Sequence, residues 1–66
     1  MFIDERKLYF MAARRQMTIT QLVQRAGITF QTLGSIKKGW RSTTKTIGKL
    51  CMALGCNPED IVRDIA

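Results

Sequence analysis

Apolar residues recur along the chain at helical rather than strand spacing, and turn signals cut the pattern into five short segments. No segment alternates apolar and polar residues like a half-buried strand, so the pattern predicts an all-α fold. In the first segment Leu8, Met11 and Ala12 form an inward stripe. Asp4 stands at the N-cap with Glu5 in the first turn, and Ile3 with Leu8 has the spacing of a hydrophobic staple. Arg14 and Arg15 close the segment, where cations suit the carbonyl end of a helix. In the second segment Thr18 and Gln21 have capping-box spacing and Met17 with Leu22 repeats the staple. Leu22, Val23 and Ala26 are its apolar face, and Gly27 falls where a left-handed residue ends a helix.

Gly27 and Ile28 turn the chain into the third segment. Thr29 caps it, the helix runs from Phe30 to about Lys38, and Gly39 stops it. At about 100° per residue, Leu33 and Ile36 point one way while Gln31, Ser35 and Lys38 point the other. Gly34 lies between the two faces at a cost of roughly 1 kcal/mol against Ala. Either something approaches the backbone closely there, or the residue is drift. The fourth segment has Thr43 as cap, a stripe of Ile47, Leu50, Cys51 and Leu54, and Gly55 as its end. The fifth opens with "NPED": Asn57 as cap, Pro58 in the first turn, and two acids behind it. Ile61, Val62 and Ile65 supply its apolar side.

At 66 residues the chain is expected to be one domain with a modest core. No apolar run is long enough to span a membrane as a helix. The opening "MFIDERKLYF" has two early acids and lacks the apolar core of a secretory signal, so a cytoplasmic location is expected. Cys51 and Cys56 are expected to be core thiols, because a zinc site needs about four ligands and the chain has no His.

Charge changes the picture more. The net charge is +6, and the 5 acids are Asp4, Glu5, Glu59, Asp60 and Asp64. Between Arg6 and Pro58 there is no acid, and every Lys and Arg except Arg63 lies in that tract. Such a field attracts nucleic-acid phosphate and, less specifically, anionic lipid. The plainer alternative is a basic surface that only confers solubility. No enzyme is expected: the acids sit at helix caps, no Ser or Cys has a base to activate it, and there is no Gly-rich phosphate loop. No cofactor, metal or small-molecule ligand is implied.

Two short helices joined by a tight Gly-containing turn, the second with a polar outer face, are the sequence form of a helix-turn-helix. The second helix enters a major groove about 12 Å wide and offers hydrogen-bonding side chains to base edges. The first lies across the backbone with its N-terminus towards phosphate.

The stretch "MTITQLVQRAGITFQTLGSIKKG", followed by "TTKTIGKLCMALGCNPEDIV", resembles the lambda-repressor-like, Cro-type (XRE) helix-turn-helix regulators. The likeness runs from about Leu8 to Val62. It is carried by the Leu22 to Gly27 block, the Ile28–Thr29 turn, Leu33, Ile36, Gly39 and the "ALGCNPEDIV" ending. It implies a compact five-helix domain and a sequence-specific DNA-binding transcriptional regulator, a repressor by preference, bound to double-stranded DNA as a homodimer. Phe30, Gln31, Gly34 and Ser35 fall on the family's base-reading face. Thr18 and Thr20 at the start of segment two, Lys38, Arg41, and Thr43 at the start of segment four fall where the family touches phosphate. Lys37 and Lys45 belong with Lys38 and Arg41 in the basic cluster at the groove-facing end. The chain departs from the family at Ile19 and Phe30, where a polar residue is common. It departs again at Ala12 and Lys37, where many members pair an Arg in helix one with a Glu near the end of helix three.

Several positions keep two readings. Phe30 either touches a thymine methyl or folds back beside Leu33 or the stem of Lys37. Trp40 either packs over a helix edge or meets the DNA backbone. Val62 and Ile65, with Ile61 buried against Cys56, either form a two-fold dimer face on the last helix or pack on helix one and the N-terminal residues. At the level of function, a protein-interaction module such as an antitoxin on the same fold would present an apolar or acidic outer face on helix three. Single-stranded RNA binding would use aromatic platforms, for which only Phe30 and Trp40 qualify.

Overall fold

The computed structural model describes residues 1–63. In chain order it has α1 (Glu5–Arg14), α2 (Ile19–Ala26), α3 (Phe30–Lys37), α4 (Thr44–Leu54) and a 3₁₀ turn at Pro58–Asp60. The described residues contain no strand, only one antiparallel bridge between Ile3 and Val62.

Each α-helix starts where cap chemistry places it. Asp4 Oδ1 accepts the Arg6 and Lys7 amides at 3.0 and 3.3 Å. Thr18 accepts the Gln21 amide at 3.1 Å while its own amide donates to Gln21 Oε1 at 2.9 Å, a complete capping box. Thr29 and Thr43 accept the amides of Thr32 and Thr46 at 3.1 and 3.2 Å. Gly27 and Gly55 end α2 and α4 in the left-handed region, at φ 72° and 65°.

The apolar stripes meet in one cluster. Leu8, Leu22, Ile47, Leu50, Leu54 and Ile61 are fully buried, with Ala12, Leu33 and Ile36 around them. α2 packs chiefly on α4. Arg15 does more than close α1: its Nε donates to the Leu54 carbonyl at 2.8 Å and its Nη2 to the Gly55 carbonyl at 3.2 Å. A cation from the first helix thus satisfies the free carbonyls of the fourth. Cys51 is buried and Cys56 half-buried, both as free thiols. Burial first, and then the neighbouring Cys56, push Cys51 up to about 11, so it stays protonated at neutral pH.

The fifth segment is the correction to the expected five-helix architecture. It makes a single 3₁₀ turn, with the Asn57 amide donating to the Asp60 carboxylate at 3.0 Å, and does not continue as a helix. The chain is drawn away by the N-terminal residues. The Asp4 amide donates to the Ile61 carbonyl at 2.8 Å and the Arg63 amide to the Phe2 carbonyl at 2.7 Å. Those pairings use backbone groups a helix would need, and they bury Ile3 and Ile61 together. Val62 is therefore half-buried against the core beside Ile3, not on the free face of a helix. The dimer face expected on Val62 and Ile65 loses its first residue to intramolecular packing, and Ile65 lies outside the described residues. A last bond, from the Ser42 amide to the Met1 carbonyl at 2.7 Å, ties the α3–α4 loop to the same N-terminal segment.

Candidate nucleic-acid interface

Burial of Leu33 and Ile36 fixes the rotation of α3, and that fixes what it shows to solvent. Gln31 is exposed. Phe30, at the helix entrance, is 58% exposed. Ser35 is half-buried, its hydroxyl donating to the Gln31 carbonyl at 3.3 Å. A Cβ added at Gly34 would meet nothing within 4 Å, so packing inside the protein does not call for glycine there. Gly34→Ala is accordingly expected to raise stability by up to about 1 kcal/mol, yet to weaken duplex binding by about tenfold, the equivalent of about 1.4 kcal/mol. Thermal melts and fluorescence anisotropy on a selected duplex check both halves. Unchanged affinity would remove Gly34 from the contact face.

Cations gather where α3 ends. Gly39 turns the chain at φ 80°, and the Trp40 amide donates back to the Ser35 carbonyl at 3.0 Å. Trp40 is 58% exposed, with Lys38 Nζ 4.9 Å from its ring centroid. Arg41 follows, its guanidinium carbon 5.9 Å from the ring of Phe2. Lys37 is exposed at the end of α3. On α1, burial and then the Glu5 carboxylate raise the Tyr9 hydroxyl, and the Lys37 charge opposes them.

Thr18 and Thr20 are exposed at the start of α2, and Thr43 and Lys45 at the start of α4. The hydroxyls of Thr18 and Thr43 are already engaged as caps. No side-chain hydrogen bond among the described residues joins these four to the cluster around Lys38. What they share is a local field: the first turns of α2, α3 and α4 contain no acid, whereas α1 and the 3₁₀ turn do. The N-termini of these three helices thus have no first-turn carboxylate to offset their partial positive charge. An open cleft of about 360 Å³ lies at the carbonyl end of α4, lined by residues such as Arg14, Arg15, Cys56 and Asp60. None of the residues expected to meet DNA lines it.

Phe2 and Arg63 also shape this surface. Nothing in the sequence marks Phe2, and Arg63 sits among the acids Glu59, Asp60 and Asp64, where local charge does not mark it.

Two short helices joined through a left-handed glycine, with the second helix exposing a polar face beside unneutralised cations, define a DNA-binding helix-turn-helix domain. The chain belongs to the Cro/C1-type helix-turn-helix DNA-binding domain family, whose model matches residues 7–66. It is 39% identical over 54 residues to YozG of Bacillus subtilis strain 168, named as an uncharacterized HTH-type transcriptional regulator. That match covers 79% of this chain and 64% of YozG, so the chain spans under two thirds of that relative. The crystal structure of the transcriptional regulator VanUg is similar with a TM-score of 0.84, covering 97% of this chain and 85% of that one at 20% identity. At that identity the likeness speaks for the fold alone. Among the described residues, no helix is long and apolar enough to cross a membrane.

Proposed function

We propose that the chain acts as a single sequence-specific DNA-binding unit, a transcriptional repressor that sets α3 into the major groove of double-stranded DNA. The observation that carries this reading is the outer face of α3: Phe30, Gln31, Gly34 and Ser35 run along one side of the helix, with an exposed cation cluster at its end. A protein-binding module would want an apolar or acidic face, whereas this one has no acid and a single apolar ring, Phe30.

In this reading Gln31 bonds an adenine edge, the Phe30 ring meets a thymine methyl, and Gly34 lets the helix backbone sit close to the bases. Thr18 and Thr20 bring the N-terminus of α2 to a phosphate. Lys38, Arg41, Thr43 and Lys45 hold the backbone beyond the end of α3, with Lys37 contributing charge from the α1 side. One such module reads few base pairs, so two copies bind half-sites about 34 Å apart. Repression follows from occupancy, since a protein seated on a promoter blocks access to it.

The test is selection of bound sequences from a random duplex pool at a stated salt concentration. A shared motif with two-fold symmetry is expected, and a pool that never enriches would sink the proposal. The phosphate contacts have their own measure. Lys38→Ala is expected to reduce the slope of log affinity against log salt by about 0.9, the value for one contact. An unchanged slope would take Lys38 off the list of contacts.

A further inference from the structure

We propose that Arg41 and Arg63, gathered on the ring of Phe2, form a phosphate-binding site that grips the DNA backbone beside the α3–α4 turn. The proposal rests on the DNA-binding reading above and adds to it a site formed by the two ends of the described chain. Its frame is backbone. The Phe2 carbonyl accepts the Arg63 amide at 2.7 Å, and the Met1 carbonyl accepts the Ser42 amide at 2.7 Å. These two bonds hold Phe2 between the loop that follows α3 and the last described residues.

Two guanidinium groups then converge on one ring, Arg41 at 5.9 Å and Arg63 at 5.7 Å from its centroid. An aromatic face attracts each cation singly. The ring neutralises neither, so both charges remain available to phosphate. Among the described residues neither guanidinium has a carboxylate partner, and both side chains are exposed. Guanidinium is the side chain best shaped for phosphate, with planar paired donors that fit two oxygens at once. The position points the same way. A Cβ at Gly39 would lie 3.9 Å from Arg63 Nη2, so the Arg63 head rests against the turn that ends α3. Lys38 on Trp40, Arg41 and Arg63 therefore continue one cationic surface outward from the base-reading helix.

An open, water-facing pair of this kind is poorly built for a free phosphate ion, which water holds well. It suits a polyanion, where each neutralised phosphate releases condensed counterions and the gain adds to contacts already made. We therefore assign the site to the backbone of the bound duplex, outside the base pairs that α3 reads.

The experiment compares salt slopes of wild type, Arg63→Gln, Arg63→Lys and the double variant Arg41→Gln/Arg63→Gln on a selected duplex and an unrelated one. Gln keeps a polar side chain over Phe2 without the charge, and circular dichroism confirms the fold of each variant. Arg63→Gln is expected to lower the slope by about 0.9 and the double variant by about 1.8, with affinity falling by the same factor on both duplexes. Arg63→Lys should restore the slope. An unchanged slope in a folded Arg63→Gln that keeps the wild-type sequence preference overturns the site and leaves the DNA reading intact. Wild type that shows no salt-dependent duplex binding overturns both. A final arm titrates inorganic phosphate into the free protein by NMR. Saturable shifts at the Arg41 and Arg63 side chains, together with a DNA slope that ignores Arg63, would make this a small-anion site and overturn the assignment to DNA.

Discussion

Leu50→Ala is expected to cost about 2–5 kcal/mol of stability, a large share of what a domain of this size possesses. Leu50 is 0% exposed and sits in the middle of α4, inside the cluster shared with Leu22, Ile47, Leu54 and Ile61. Removing its branch leaves a cavity whose walls come from helices pinned at their ends by caps and by Arg15, so little collapse is available to refill it. Total stability at roughly 0.05–0.15 kcal/mol per residue is only on the order of 3–10 kcal/mol. At about 4–8 °C per kcal/mol, Tm should fall by about 8 °C or more. Duplex binding should weaken only as the folded fraction does. A urea or thermal melt reads the loss, and a cost under about 1 kcal/mol would mean that the core repacks around the missing side chain.

Gln31→Ala should relax recognition at one base pair of the selected site. A side-chain amide bonded to an adenine edge is worth roughly 1–3 kcal/mol against the wrong base. The variant should thus bind all four bases at that position within a few-fold of one another, while discrimination elsewhere is unchanged and the melting curve does not move. Repeating the pool selection with the variant reads this directly. If affinity instead drops equally for every sequence, Gln31 touches the backbone and the register of α3 in the groove must be redrawn.

What the chain reveals before folding depends on how far apart the interacting residues lie. Asp4, Thr18, Thr29 and Thr43 cap as expected because a cap joins residues two or three apart. The inward faces of α2, α3 and α4 follow from period alone, and with them the outward position of Gln31. The fifth segment misleads because Asn57, Pro58, Glu59 and Asp60 do start a helical turn locally. The backbone groups that stop it belong to Phe2 and Asp4, at the other end of the sequence. Gln16 illustrates a subtler failure: it turns the chain after α1 at φ 57° without the glycine that usually marks such a position. In the candidate site, the openness of Phe30 and the perch of Lys38 on Trp40 are matters of side-chain rotamer, on which spacing is silent. Spacing is equally silent on the reach of the Lys37 charge to Tyr9 of α1.

The bonds from Met1 to Ser42 and from Phe2 to Arg63 mean that the loop carrying Arg41 takes its position from residues near the start of the chain. Ile3, buried in the core, anchors that segment. The helix-turn-helix itself is held by its own caps and by the burial of Leu22, Leu33 and Ile36. In the proposed mode of binding, a change at Met1 or Phe2 therefore acts on the placement of Arg41 and leaves the outer face of α3 as it is.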